Sequence, residues 1–445
     1  LKVLLCLNHF LPDKVAGTEV YCLSLAKGLQ GQQVDVTVLA PNYDQTINQF
    51  YEIDGIPVIR YAEPSAVDRA LIMGKRKPEG LLYFEKVLTD IQPDIIHFHG
   101  LGGSNGITHH HVLLAKKLEF KVLFTFHIAG LSCFTGNLLY KEETKCDGYA
   151  APLKCSRCVY SSKQISGIKK TLLTTASGIA FKIGYDTSAW QSSLGTAIGF
   201  PFIIKERNKR LQELADACDR LIVLTEWYKK VLLLNQLDPA KLVTLTQALP
   251  TQLTSSQATP VADKKIRIAF IGRVVYAKGL HLLIDALLQL NSPDLVLDIY
   301  GQVNEEAYGA DCLSKTKGNN SITWKGIIAP EEVVNTLTHY SVLCIPSAIC
   351  EMSPLVIQEA FAAGIPVIAS DVYGNAEQVK DGVNGWLFPF KDSVALQQVL
   401  QQLLNNPQEI EQMKKGLPAV KSFSTLVEEH ISLYQSILNE PSLSH

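Results

Sequence analysis

The sequence predicts an α/β protein built from two doubly wound halves, each a parallel sheet covered by helices on both faces. Three observations carry that expectation. Short, near-continuous apolar runs alternate with segments of helical period twice along the chain. At 445 residues the chain is too long for one ordinary core. The stretch Pro250-Thr-Gln-Leu-Thr-Ser-Ser-Gln-Ala-Thr-Pro260, polar and uncharged, separates the two series and suits a linker.

In the first half the strand-like runs are Val3–Leu7, Val34–Leu39, Ile95–Phe98, Val122–Phe126, Leu221–Leu224 and Leu242–Leu245, with helical spacing over Thr18–Leu29. In the second half they are Ile266–Ile271, Leu295–Tyr300, Ile322–Lys325, Val342–Ile345, Val367–Ala369 and Gly385–Phe388. Helical patterns fall between the latter at Leu280–Leu290, Pro330–Leu337, Pro354–Ala363 and Ala376–Lys380, and two more are expected after Asp392. The division is therefore 1–250, with an insertion over about 131–210, then 251–420, then a closing helix and tail over 421–445. Ligands of open parallel sheets bind beyond the carboxyl ends of the strands, so a cleft between the halves is the expected site.

Composition excludes several classes. Hydrophobic residues make up 47% and charged residues 19%, as in ordinary globular proteins. A net charge of −2 gives no global field that would recruit nucleic acid or a membrane, so any such patch is local. The chain shows neither a signal-peptide pattern nor a run of about 18 apolar residues, and a cytoplasmic protein is expected. Six of its ten cysteines are scattered among apolar neighbours and read as small buried hydrophobes.

The chemistry concentrates in two clusters. Glu351-Met-Ser-Pro-Leu-Val-Ile-Gln-Glu359 places one carboxylate before a helix and one within it, because Ser353-Pro354 reads as an N-cap followed by Pro at the first helical position. Glu359 then lies about 7–8 Å along the axis. The open N–H groups at the helix start suit an anion. Upstream, Gly272-Arg273 follows a strand and precedes Lys278-Gly279, which supplies two cations. Cations suit a diphosphate and ionised carboxylates accept from sugar hydroxyls, so the pair of clusters reads as a site for a sugar joined to a diphosphate.

With these pieces in order, followed by Gly364-Ile-Pro-Val-Ile-Ala-Ser370, Gly374 and Gly382-Val-Asn-Gly385, the chain resembles the family 4 retaining glycosyltransferases of the GT-B fold. The resemblance spans the chain apart from the insertion. It implies that Arg273 and Lys278 neutralise the donor diphosphate, that Glu359 binds ribose hydroxyls and that Glu351 contacts the donor sugar. Backbone N–H groups of Ser353, Leu355 and Val356 would lie near sugar and phosphate. Gly272 and Gly301, with Gly326-Ile327-Ile328, would bound the nucleotide. In the first half, Gly17 of Ala16-Gly17-Thr18-Glu19 would belong to the glycine loop facing donor and acceptor, where Ala16 replaces a glycine common in the family. His127 matches the active-site histidine and His99 a second recurring motif, while His109-His110-His111 reads as a helix start rather than a metal tract. The expected activity is retaining transfer from a UDP- or GDP-linked sugar to a saccharide or lipid-linked acceptor in polysaccharide biosynthesis. With no Asp-x-Asp, it needs no catalytic metal or other cofactor. Alternatives are a glycoside phosphorylase of the same fold and a non-catalytic sugar-nucleotide-binding protein. A dinucleotide oxidoreductase fits poorly, since no Gly-x-Gly-x-x-Gly follows the first strand.

The insertion departs from that pattern. Cys133, Cys146, Cys155 and Cys158, the last two as Cys-Ser-Arg-Cys, have the composition of a tetrahedral thiolate site, and a structural Zn is expected, with an iron–sulfur cluster, a disulfide or free thiols as alternatives. From Val159 to Arg210 eight Lys or Arg face two acids, interleaved with apolar residues. That pattern suits either peripheral contact with anionic lipid or a core-packing helix pair with a solvated basic face.

Overall fold

The computed structural model describes residues 1–13, 17–249 and 265–440. The expected linker Pro250–Pro260, Ala16 and the tail Pro441–His445 lie outside the described residues. The chain forms two compact units, Leu1–Thr246 together with the segment from Phe423, and Gln247–Ser422. The closing helix, Phe423–Asn439, thus belongs to the N-terminal unit.

The N-terminal unit holds an eight-stranded sheet: β1 (Lys2–Cys6), β2 (Asp35–Tyr43), β3 (Gln49–Ile53), β4 (Ile56–Glu63), β5 (Ile95–Phe98), β6 (Lys121–Phe126), and, beyond a small hairpin of β7 (Leu139–Tyr140) and β8 (Thr144–Lys145), β9 (Arg220–Val223) and β10 (Leu242–Thr244). Their order is β10-β9-β6-β5-β1-β2-β4-β3, parallel throughout except for β3 against β4. The second unit holds β11 (Ile266–Ile271), β12 (Leu295–Tyr300), β13 (Ile322–Gly326), β14 (Val342–Ile345), β15 (Val367–Ser370) and β16 (Gly385–Phe388), all parallel, in the order β13-β12-β11-β14-β15-β16. Counted within the unit, that is the doubly wound order 3-2-1-4-5-6, which reverses between β11 and β14 and opens a crevice at their carboxyl ends. This is the GT-B type of fold expected from the sequence.

Burial on both faces explains why these strands read as apolar runs. Ile266, Ile268 and Phe270 of β11 join one core layer with Leu283, Leu287 and Leu400, whereas Ala269 joins another with Leu337, Ile357 and Phe361. Sequence periodicity missed β3 and β4. β3 is a largely exposed antiparallel edge. β4 carries Arg60 and Glu63 in the buried interior, Arg60 pairing with Asp13 at 2.7 Å. Two expectations need correction. The helix after Glu351 runs Leu355–Ala362 with Pro354 as the extended N-cap residue, so Pro354 is not the first helical residue and Ser353 does not cap it. Among the described residues three helices follow Asp392, Ser393–Asn405, Gln408–Lys414 and Phe423–Asn439, where two were expected.

One glycine fixes the crevice. Gly279 has φ of +69°, and a Cβ there would stand 1.8 Å from the carbonyl oxygen of Pro346. Gly318 has a similar φ of +80° but open space around it. Gly279→Ala is therefore expected to cost several kcal/mol, and Gly318→Ala about 1 kcal/mol, the conformational part alone. Urea unfolding followed through Trp324 and Trp386 checks this; equal midpoints for the two variants would overturn it.

Candidate active site

In the second unit the loops leaving β11 and β14 meet. After β11 come Gly272, the exposed Arg273 and a 3-10 turn, Tyr276–Lys278. After β14 come Ser347 and Glu351. The N–H of Ala348 donates to the carbonyl of Ala277 at 2.9 Å, tying the loops together. Lys278 Nζ reaches Glu351 Oε1 at 2.7 Å, and the Ser347 hydroxyl donates to the same oxygen at 2.9 Å. The Glu351 loop rests on Gly374, where a Cβ would stand 2.3 Å from the Glu351 carbonyl oxygen. Behind it, Ser370 donates to the Ser347 carbonyl and Asn375 to that of Ser370. Arg273 makes no ion pair among the described residues, so its charge faces solvent.

The helix Leu355–Ala362 starts in this loop with no side-chain cap, leaving the first N–H groups, those of Leu355 and Val356, directed at the site beside Ser353. One turn in, Glu359 is largely buried, and desolvation pushes its pKa up to about 7. Gly301 follows β12, its N–H donating to the Gly326 carbonyl at 2.7 Å, and Ile328 packs against the core just beyond. Gly272, Arg273, Lys278, Gly301, Ile328, Glu351 and Ser353 thus sit on the strand ends and loops of one unit, and Leu355, Val356 and Glu359 on the helix that starts there.

In the N-terminal unit a cavity of about 1790 Å³ is lined by Thr18, Glu19, His99 and His127, next to Gly17 at the start of the helix Gly17–Gly31. His127 follows β6 and His99 follows β5. His99 Nδ1 and His127 Nε2 are 3.0 Å apart. Beneath them His97 bridges Tyr434 at 2.8 Å and Thr125 at 2.7 Å. Tyr21 packs its ring on His127 at 5.0 Å and meets His430 Nε2 at 3.3 Å. Burial holds His97 and His99 well below the usual imidazole range and lowers His127 to about 3, so these rings are neutral at pH 7. His99 Nε2 is buried with no hydrogen-bond partner among the described residues. An orphaned acceptor costs less than an orphaned N–H, which favours His99 donating from Nδ1 and leaves the His127 proton on Nδ1. Through this bond His99 holds the orientation of the His127 ring. The tract His109–His111 begins the helix His109–Lys117, and His111 is structural: it bonds the Thr108 N–H at 3.1 Å and Tyr61 at 3.2 Å.

Sequence reasoning missed Ser347, Asn375, Tyr21, His430 and Tyr434. It had no local signal for them, since Tyr434 and His430 lie on the closing helix. It also missed how the insertion is held. Arg69 bonds the Ser188 carbonyl and Thr196, Arg210 the Met73 carbonyl, and Arg207 lies over the Phe134 ring.

None of the four insertion cysteines is in a disulfide. Cys155 and Cys158 share one face of the helix Pro152–Ser162, and Cys158 Sγ accepts from the Lys141 N–H at 3.4 Å. Burial, then the neighbouring Cys158 and Cys133, push Cys155 up to about 12, so the thiols sense one another. Among the described residues the ligand-type atoms that lie within 4.8 Å of one another in a set of three are those of Cys22, His99 and His127. The His99–His127 hydrogen bond accounts for that closeness.

Residues 252–417 match the family described as glycosyl transferases group 1, and residues 16–159 match the glycosyl transferase 4-like domain. An uncharacterized glycosyltransferase of Methanocaldococcus jannaschii is 23% identical over 98% of both chains. Among solved structures, sucrose-phosphate synthase from Thermosynechococcus elongatus superposes with a TM-score of 0.65 at 17% identity, over 98% of each chain. HepE of Anabaena, in complex with UDP and glucose, superposes with a TM-score of 0.62 at 14% identity, over 98% of this chain and 99% of that one.

The neutral histidines set an acid limit. His127 and His111 are both lowered to about 3 by burial, so between there and the unfolded value near 6.5 the folded chain binds fewer protons than the unfolded one. Stability is full above about pH 6.5 and falls as pH drops, by at most about 1.4 kcal/mol per pH unit for each such ring. Calorimetry from pH 7 to pH 4.5 is expected to show the N-terminal unit losing Tm. A flat profile would mean that these rings are already charged in the folded chain.

Proposed function

The chain belongs to the group 1 glycosyltransferases, and on that premise we propose that it moves a sugar from a nucleoside diphosphate to a saccharide or lipid-linked acceptor, with retention and without a catalytic metal. The observation that carries this reading is the Lys278–Glu351 pair at 2.7 Å, set between Arg273 and an uncapped helix start. A diphosphate arriving there draws Lys278 and Arg273 to its oxygens and accepts from the N–H groups of Leu355 and Val356. Glu351, relieved of Lys278, then accepts from a hydroxyl of the donor sugar, with Ser347 still holding its position. Glu359 accepts from the ribose hydroxyls.

Those cations and N–H groups are worth most where charge grows, on the diphosphate as the anomeric C–O bond breaks. The acceptor oxygen bonds the anomeric carbon from the face the diphosphate leaves, and its proton passes to the departing phosphate oxygen. No carboxylate of the sequence is assigned as a nucleophile. The N-terminal cavity supplies the acceptor side, where His127 offers an Nδ1–H to a hydroxyl. HepE of Anabaena is in complex with UDP and glucose, which makes a uridine nucleotide the first donor to try.

We propose also that Cys133, Cys146, Cys155 and Cys158 hold a structural zinc. The donor set fits in type: four cysteines outside any disulfide and a backbone N–H directed at one sulfur. Zinc needs sulfurs about 3.8 Å apart, given Zn–S bonds of about 2.3 Å. The thiols must therefore draw inward. The site would brace the hairpin β7–β8 against the helix Pro152–Ser162 and take no part in transfer.

Thermal-shift and hydrolysis screens with UDP- and GDP-sugars test the donor site. Stabilisation by one of them is expected, unchanged by EDTA and lost in Lys278→Ala. Because Glu359 titrates at about 7, nucleotide affinity is expected to rise by up to about tenfold from pH 6 to pH 8 and to be flat in Glu359→Gln. Stabilisation by phosphate or a sugar phosphate alone would instead establish the phosphorylase reading. For the cysteines, protein purified without chelator is expected to carry about one zinc per chain, lost in Cys155→Ser. Less than about 0.3 equivalents would overturn the site.

A further inference from the structure

We propose that the helix Gly167–Lys182 and the turn after it dock onto an anionic lipid surface. The helix turns its large aliphatic side chains outward: Ile168 is 81% exposed, Leu172 65%, Ile179 57% and, just past its end, Ile183 71%. At 100° per residue these four positions fall within an arc of about 60°. The opposite face, with Ser177 and Ala180, is the buried one. Tyr185 and Trp190 follow, exposed and in edge-to-face contact at 6.1 Å. Such amphipathic rings favour the level of lipid headgroups.

Charge chooses the occupant. From Val159 to Tyr185 the chain holds Lys163, Lys169, Lys170 and Lys182 and no acidic residue. Lys163, Lys169 and Lys182 are exposed, while Lys170 bonds the Ser161 hydroxyl at 2.6 Å. A second copy seated on this face across a two-fold axis would set lysines against lysines. An anionic bilayer satisfies both the aliphatic stripe and the lysines beside it. Among the described residues no helix is long and apolar enough to cross a membrane, so the contact is made along the surface. A lipid-linked acceptor would then be presented at the face that carries the insertion.

Co-sedimentation of the full chain with vesicles tests this apart from any assay of transfer. Binding is expected to phosphatidylcholine vesicles containing phosphatidylglycerol, weakened by salt, and not to phosphatidylcholine alone. Replacing Lys163, Lys169 and Lys182 by Ser is expected to lower the partition coefficient on the order of a hundredfold. Ile168→Glu with Leu172→Glu and Ile179→Glu should abolish it with Tm unchanged, since all three side chains are exposed. Two results overturn the proposal. One is no preference for anionic vesicles, or a preference that both sets of variants retain. The other is a concentration-dependent dimer in light scattering that Leu172→Glu dissolves while vesicles fail to bind, which would make the face a protein interface.

Discussion

The close approach of Gly279 to the Pro346 carbonyl governs the C-terminal unit. In a doubly wound sheet the strands before and after the reversal leave toward different helices, and a gap opens between their exits. Here the gap is pinched shut at its base. A glycine lets the first loop lie directly on the second, and the Ala348-to-Ala277 hydrogen bond locks the pair. Lys278 immediately precedes that glycine and Glu351 lies five residues beyond Pro346. Backbone packing therefore brings the ammonium and the carboxylate together, and neither side chain needs to search for the other. Ser347, Ser370 and Asn375 continue the chain of bonds inward, so the charged pair sits on a rigid footing.

The two units handle polarity in opposite ways. The C-terminal unit pairs Lys278 with Glu351 at its strand ends, while Arg273 and Glu359 make no ion pair among the described residues. In the N-terminal unit the groups that bond or stack on His127 and on His97 beneath it are neutral at pH 7, namely His99, Tyr21, Tyr434 and the Thr125 hydroxyl, while Glu19 lines the same cavity. Buried hydrogen-bonded rings of this kind hold each other's tautomers without the desolvation cost of ions. A neutral donor suits a sugar hydroxyl, and paired ions suit a diphosphate. Each environment therefore matches the ligand part assigned to it.

The strands of the second sheet were legible because parallel strands buried on both faces leave an unbroken apolar run. β4 was illegible because Arg60 and Glu63 interrupt such a run, and the partner that makes Arg60 tolerable, Asp13, is far away in sequence. The site follows the same division. Arg273, Lys278, Glu351 and Glu359 stand in a local pattern that the sequence alone singles out. The supports of His127 do not, because the bond from His97 to Tyr434 spans 337 residues and that from Tyr21 to His430 spans 409. The sequence placed Lys278 and Glu351 on one ligand, and the structure adds that each is the other's partner before any ligand arrives.

The insertion shows where hydrophobic periodicity stops being informative. Ile168, Leu172 and Ile179 form an aliphatic stripe, and by hydrophobicity alone they belong inside. The structure places them outside because the opposite face carries Ser177 and Ala180, whose small side chains allow close packing against neighbouring helices. Elsewhere the insertion is fastened by polar contacts: Arg69 to Ser188 and Thr196, Arg210 to Met73, and Asn208 to the Ala150 carbonyl. A segment anchored by directed hydrogen bonds does not need its apolar stripe for its own folding. The stripe is then left exposed at a standing cost in water of about 25 cal/mol per Å². Scattered exposed aliphatics need no explanation, but four within one arc, followed by two aromatic rings and flanked by lysines with no acid, make up a surface that suits the apolar and anionic partner proposed for it.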